Sequence, residues 1–263
     1  MTGQPAPLIS LDPSNLKPES TALFLDFDGT LADIAEHPDA VSVPAVTCDI
    51  LRRLERSTQG ALAIVTGRPI DHIDRFLAPL YLPVAGVHGL ERRTARGTRS
   101  AVAIDEKGFG ALKRKLKAFA DANPGLLFET KRGSIALHYR QRPELADAAA
   151  AAVHAALDGH SGLHILSGKM VIEIKAGEAT KADAIAAFMK ELPFRGRRPL
   201  FAGDDVTDED AFREVARSEG ISIKIGSGTT AASFRSEGTD AFRAWLARLA
   251  DCFDSQLLTE QGL

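Results

Sequence analysis

Ala22-Leu-Phe-Leu-Asp-Phe-Asp-Gly-Thr-Leu31 is the stretch on which the reading of this chain turns. Ala22 to Leu25 is an apolar run short enough for a buried strand, and it stops at two carboxylates, a glycine and a threonine. Side chains alternate along a strand, so Asp26 and Asp28 are expected to point one way while Phe27 turns into the core. Two anions held that close call for a counter-charge, and a hard cation that prefers oxygen ligands, such as Mg²⁺, supplies it. Gly29 lets the chain leave steeply and frees backbone N–H groups to face an anion. An ordinary turn after a strand could carry the same residues. What favours chemistry is that other strands end in the same way.

Working outward, Ala61 to Val65 is a second apolar run, and it ends in Thr66-Gly-Arg-Pro69 ahead of a helix with Ile70, Ile73, Phe76 and Leu77 on one face. Thr66 and Gly67 therefore fall at a strand-to-helix corner suited to an anion. Val84 to Val87 gives out at His88-Gly-Leu-Glu91, and Pro199 to Ala202 at Gly203-Asp-Asp-Val-Thr-Asp-Glu-Asp210. The acids of that last run cannot all be core. Pro44 to Ser57 reads as a helix with Val46, Ile50, Leu51 and Leu54 inward. Thr180 can cap another over Lys181 to Leu192, with Ile185, Phe188, Met189 and Leu192 inward. Ile221 to Ile225 adds a strand, and a closing helix buries Phe242, Trp245, Leu246 and Leu249. Alternating strands and helices predict an α/β fold, a doubly wound Rossmann-like parallel sheet. Ligands bind beyond the carboxyl ends of such strands, where Asp26, Asp28, Thr66 and Asp204 would fall.

Between about 104 and 176 the pattern changes to helix, hairpin, helix, hairpin. A helix carries Phe109, Leu112, Leu116 and Phe119 and stops at Asn123-Pro-Gly125. Strand-like runs follow at Leu126 to Lys131, Ser134 to Arg140, Leu163 to Leu166 and Met170 to Lys175, and an alanine-rich helix from Pro143 to Leu157 separates the two pairs. Residues 104–176 are thus expected to be an α+β domain inserted into a core of 21–103 and 177–263. Residues 1–20, with four prolines, read as an N-terminal arm.

The 263 residues are 44 % hydrophobic, enough for a sizeable core, and the formal net charge of −3 argues against nucleic acid or an anionic membrane as partner. The basic run 113–117 has the spacing of a solvated helix face. Cys48 and Cys252 form neither a disulfide framework nor a metal-spaced cluster, which suits the cytoplasm. No signal peptide or membrane span is read.

Taken in order, Asp-x-Asp-Gly-Thr, Thr-Gly-Arg, the helix-leading Lys181 and Gly-Asp-Asp-x-x-Asp resemble the motifs of the haloacid-dehalogenase superfamily. Further strings, Gly203-Asp-Asp-Val-Thr-Asp-Glu-Asp-Ala-Phe212, Gly86-Val-His-Gly-Leu-Glu91, Glu129-Thr-Lys131, His138-Tyr-Arg140 and Gly168-Lys-Met-Val-Ile-Glu173, are similar to those of its trehalose-phosphatase family, over about residues 20–250. The resemblance implies a haloacid-dehalogenase core with a cap domain. It implies Asp26 as nucleophile, Asp28 as general acid and base, and Thr66 and Lys181 as donors to the phosphate. Mg²⁺ would be held by Asp26, the Asp28 carbonyl and Asp204, with Asp208 in support. Gly67, Arg68, His88 and Gly89 would contact substrate in the core, and Glu129, Lys131, Arg140, Lys169 and Glu173 would contact sugar in the cap. The activity so implied is that of a monomeric, cytoplasmic phosphatase that converts trehalose 6-phosphate to trehalose through an aspartyl phosphate. Two alternatives stand beside it: a phosphatase of sucrose 6-phosphate or a mannosyl phosphate, and a non-catalytic phospho-receiver.

Overall fold

A computed structural model describes residues 4–35, 40–104, 106–158, 160, 162–168 and 170–260. The chain divides into two compact units, Met1–Ser100 with Thr180–Leu263, and Ala101–Ala179. The first unit holds β1 (Ala6–Pro7), β2 (Thr21–Leu25), α1 (Ala45–Ser57), β3 (Leu62–Val65), α2 (Ile70–Leu77), β4 (Val84–Gly86), β5 (Glu91–Arg93) and β6 (Arg99–Ala101), the last crossing the boundary. The second holds α3 (Glu106–Ala122), β7 (Leu127–Lys131), β8 (Ser134–His138), α4 (Ala146–Leu157), β9 (Leu163–Gly168) and β10 (Val171–Ala176). The first then resumes with α5 (Lys181–Phe188), β11 (Arg198–Gly203), α6 (Glu209–Arg217), β12 (Ile221–Ile225), β13 (Phe234–Ser236) and α7 (Thr239–Glu260).

In the first unit the strand order is β1-β13-β12-β11-β2-β3-β4-β5-β6. Pairing is parallel from β1 to β4 and turns antiparallel at β5. Both faces of its central strands are buried, and alternate residues serve alternate faces. Leu23, Leu25, Leu62, Ile64, Leu200 and Ile223 pack with Leu51, Leu54, Ile73, Leu77, Phe242 and Trp245 from α1, α2 and α7. Ala22, Phe24, Ala63, Val65 and Phe201 pack with Ile185, Phe188, Phe212 and Val215 from α5 and α6. Each of the Val, Leu, Ile and Phe side chains contributes on the order of 1.5–3 kcal/mol by leaving water. The chain leaves β2 toward β3 on one side and returns as β11 on the other, so the strand order reverses between β2 and β11. In open parallel sheets such a reversal is where ligands bind, in a crevice at the carboxyl ends of the two neighbouring strands.

In the second unit the antiparallel order is β7-β8-β10-β9. One face, with Ile135, Leu137, Ile172 and Ile174, packs on Leu112, Leu116, Ala149 and Val153 of α3 and α4. The other face carries Glu129, Lys131, His138, Glu173 and Lys175 beside Leu127, Leu166 and Val171. A unit of helices on one side of an antiparallel sheet needs apolar residues on one face only, which is what the period of two supplies.

Several sequence expectations need correction. Val46, placed inward on α1, is 66 % exposed, and the buried stripe is Thr47, Ile50, Leu51 and Leu54. Helix α5 stops at Phe188 rather than Leu192, which is exposed. Pro193 bars its preceding residue from helical backbone, so the last turn unwinds before it. The inserted unit runs three residues further at each end than the 104–176 read from sequence. Residues 4–20 are no loose arm: Ala6–Pro7 pairs with β13 at the sheet edge, Leu8 and Leu16 are buried, and Trp245 Nε1 donates to the Leu11 carbonyl at 2.8 Å. Pro7 is tolerated because an edge strand leaves one side of its backbone unpaired. Among the described residues no helix is long and apolar enough to cross a membrane.

Candidate active site

The crevice at the β2/β11 reversal gathers four charged side chains of the first unit. Asp26 leaves β2 with its backbone N–H bonded to the Ala202 carbonyl at 2.9 Å, so the Asp26 and Asp204 loops run side by side. Lys181 Nζ donates to Asp26 Oδ1 at 2.7 Å and to Asp208 Oδ1 at 2.6 Å. All three are buried. Thr180 delivers the lysine: its side chain accepts from the Asp183 N–H while Asp183 accepts from the Thr180 N–H, a capping box that fixes Lys181 in the first turn of α5 and is worth about 1 kcal/mol. Asp208 is held in turn by the Asp205 N–H, 2.9 Å from Oδ2. Thr30 Oγ1 donates to Asp26 Oδ2 at 3.3 Å.

Asp26, Asp204 and Asp208 each offer an oxygen within 4.8 Å of the others. Gly29 takes a left-handed φ of 73° that favours glycine, and a Cβ there would stand 2.3 Å from Asp204 Oδ2. Burial pushes the Asp26 carboxyl well above the usual carboxylate range; Lys181 opposes this, and Asp208 and Asp204 reinforce it. Burial works against the Lys181 charge too, yet Asp208 and Asp26 outweigh it and the ammonium is held more firmly than in water. Three carboxylates against one ammonium leave two surplus negative charges, with hard oxygen donors converging. That donor set suits a divalent metal.

Thr66 is buried at the end of β3. Its Oγ1 accepts from the Arg68 N–H at 3.1 Å, which leaves the hydroxyl proton to be donated elsewhere. After β4, Val87 and His88 both adopt left-handed backbone, φ 47° and 53°. For a β-branched valine that conformation costs about 1–3 kcal/mol. It sets the His88 ring against Gly67, where a Cβ would lie 2.5 Å from Nε2. Gly89 belongs to the same turn. Asp28 does not join the metal-type cluster: its carboxylate turns to Arg68, which grips it with two bonds of 2.7 Å.

In the second unit, strand register aligns Glu129, Ala136 and Glu173 in one row across β7, β8 and β10, on the face of the sheet away from α3 and α4. The adjacent row is Lys131, Ser134 and Lys175. Glu129 Oε2 meets His138 Nε2 at 2.9 Å and Glu129 Oε1 meets Lys131 Nζ at 3.6 Å; Ser134 Oγ donates to Glu173. Burial works to raise the Glu129 carboxyl, and the His138 bond with the Lys131 charge more than offsets it, so the group sits below its usual range. A single small residue, Ala136, stands between the two acids in that row. Arg140 lies two residues past β8, exposed, and Lys169 lies outside the described residues.

Sequence reasoning missed Lys224. Buried on β12, it donates to the carbonyls of Asp204 at 2.6 Å and Asp205 at 3.4 Å and so pins the acidic loop. A lysine among the isoleucines of β12 was the available signal. Lys175 on β10 and Thr30 after Gly29 were likewise inside quoted strings without a role.

Residues 24–241 match the sequence profile of the family described as Trehalose-phosphatase. The chain is 41 % identical over 225 residues to the trehalose-6-phosphate phosphatase of Escherichia coli K12, covering 86 % of this chain and 85 % of that one. It is 45 % identical over 212 residues to a probable trehalose-phosphate phosphatase of Sinorhizobium fredii, covering 79 % and 78 %. In structure it is similar to the C-terminal domain of trehalose-6-phosphate phosphatase from C. albicans, with a TM-score of 0.81 at 19 % identity over 95 % of this chain and 99 % of that one. The fold is that of the haloacid-dehalogenase superfamily.

Proposed function

We propose that this chain, which belongs to the trehalose-phosphatase family, hydrolyses trehalose 6-phosphate to trehalose and phosphate with Asp26 as the attacking group. The observation that carries the reading is the buried Asp26 carboxylate, bonded to Lys181 and within reach of Asp204 and Asp208, at the carboxyl end of β2. Attack by Asp26 splits the displacement into two easier steps through an aspartyl phosphate. Lys181 and the Thr66 hydroxyl donate to the equatorial oxygens, where charge accumulates. Asp28 gives a proton to the leaving alcohol and takes one from the water that follows.

Asp26, the Asp28 carbonyl and Asp204 would hold Mg²⁺, with Asp208 in support through Lys181. When bound, the ion supplies charge neutralisation at the transferring phosphoryl group. The cluster's two surplus negative charges support a doubly charged ion. Asp204→Ala is expected to weaken Mg²⁺ binding by at least about tenfold, read by calorimetry on metal-free protein, and to lower turnover with it. A binding isotherm equal to the parent's would remove Asp204 from the ligand set.

The inserted unit would read the sugar. Carboxylates and ammonium groups on one sheet face match the dense hydroxyls of a disaccharide, and Glu129 and Glu173 share a row there. Glu129→Ala or Glu173→Ala is expected to lower kcat/KM for trehalose 6-phosphate by about 1–3 kcal/mol, roughly 5- to 150-fold. The loss on p-nitrophenyl phosphate should be several-fold smaller. Equal losses on both substrates would assign these acids to the fold.

The deciding experiment is phosphate release across trehalose 6-phosphate, sucrose 6-phosphate, mannosyl phosphates and monosaccharide phosphates, with Mg²⁺ and after chelation. Trehalose 6-phosphate should lead the panel, and chelation should stop turnover. A flat profile across the sugars would overturn the substrate, and a single equivalent of phosphate uptake without turnover would indicate a receiver.

A further inference from the structure

We infer that Arg68 is a positioning residue for the acid–base carboxylate: its guanidinium is committed to Asp28 rather than to the phosphate. The inference deepens the proposed reaction and rests on it. Arg68 Nε and Nη2 donate to Asp28 Oδ2 and Oδ1, each at 2.7 Å, the two parallel bonds that a planar fork makes with a carboxylate. The guanidinium carbon lies 5.0 Å from the Phe76 ring centre and 5.7 Å from that of Phe27, two rings that stack on each other. Aromatic faces attract the cation and fix its plane.

The backbone of Arg68 is tied at both ends. Its N–H donates to Thr66 Oγ1 and its carbonyl accepts from the Val87 N–H at 3.1 Å. Exposure orders the pair. The Arg68 side chain is 8 % exposed and that of Asp28 is 37 % exposed, so the anion faces outward and the cation stands behind it. Asp28 is therefore the member of the pair that an incoming group meets first. Phe27 is also the residue between Asp26 and Asp28, so packing it under Arg68 sets the direction in which Asp28 leaves the chain.

Asp28 then acts from a fixed place. In the first half-reaction its carboxylic acid gives a proton to the ester oxygen as the P–O bond breaks. The bond's electron pair goes to that oxygen, and an Asp26 oxygen bonds to phosphorus. In the second, a water oxygen bonds to phosphorus and gives its proton to the Asp28 carboxylate, while Asp26 departs with the pair of its own P–O bond. Arg68 touches neither phosphorus nor the transferred proton.

The first half-reaction separates this role from phosphate binding, because a sugar alcohol leaves poorly without a proton while p-nitrophenolate needs none. Arg68→Ala and Arg68→Lys would be followed by single-turnover release of the leaving group from trehalose 6-phosphate, glycerol 3-phosphate and p-nitrophenyl phosphate at saturating Mg²⁺. General acid assistance is typically worth ~10²–10⁴-fold, so misplacing the acid should slow the two alkyl esters at least about tenfold more than the aryl ester. The lysine variant should show the same imbalance, since one ammonium cannot make the paired bonds. Equal losses on alkyl and aryl esters, with a raised KM, would overturn the inference and make Arg68 a phosphate ligand. Parent-like rates on the alkyl esters would overturn it as well. If the parent fails on trehalose 6-phosphate yet the imbalance appears between glycerol 3-phosphate and p-nitrophenyl phosphate, the proposed substrate falls and the role of Arg68 stands.

Discussion

Asp26→Asn is expected to reduce turnover by at least about 10⁴-fold on every substrate, whatever its sugar or leaving group. The carboxamide keeps the shape of the side chain, so Thr30 and Lys181 keep a partner at that position. What disappears is the negative oxygen that bonds to phosphorus. The fold should not suffer. Asp26 sits among like charges, with burial, Asp208 and Asp204 all opposing its ionised form, so removing the negative charge relieves repulsion while it forfeits attraction to Lys181. The metal-free variant should therefore melt within about 3 °C of the parent. A collapse of Tm would show Asp26 to be a structural ion-pair partner. Residual turnover above about one per cent of the parent would place the nucleophile elsewhere.

The reason Asp26 could be picked out before any coordinates is local. A strand buried on both faces must be apolar throughout, so the first polar residue marks its end, and in a parallel sheet that end is where ligands bind. Ala22–Leu25, Leu62–Val65 and Leu200–Ala202 all announce their ends in this way. Thr180 announces Lys181 because a helix start has its own residue code. What stayed hidden depends on distance in sequence or on competition between local patterns. Arg68 and Asp28 are 40 residues apart, and nothing in either string says that they bind each other. Val46 fits the apolar stripe by spacing, but the stripe of α1 is centred one residue further round, on Thr47. The prolines of residues 5–18 read as an N-terminal arm because proline breaks regular structure. Their packing depends instead on Leu8, Leu16 and a carbonyl offered to Trp245 from the far end of the chain. Lys224 was overlooked because an apolar strand reads as core, whereas a buried ammonium is tolerated there by two loop carbonyls.

Asp28→Asn should be the second most damaging change, and the two halves of the reaction should feel it differently. A carboxamide can neither give a proton to a leaving alcohol nor take one from water, so steady-state turnover of a sugar phosphate is expected to fall by ~10²–10⁴-fold. An activated aryl ester bypasses the first requirement but not the second. With p-nitrophenyl phosphate the variant should release about one equivalent of p-nitrophenol per protein quickly and then stall, with phosphate retained on Asp26. Acid quench after exposure to a phosphorus-labelled aryl ester would show protein-bound label in Asp28→Asn and little in the parent, where water clears it. The amide oxygen can accept only one bond from Arg68 and the N–H₂ faces the other donor, so Arg68→Ala, which keeps the carboxylate, is the control that separates lost geometry from lost proton transfer. Steady-state release of p-nitrophenol at the parent's rate, with no label held, would mean that another group activates the water. Asp205 and Glu209 would then be the next carboxylates to replace, since Lys224 Nζ donates to the Asp205 carbonyl at 3.4 Å and lies 4.0 Å from Glu209 Oε1 at the start of α6.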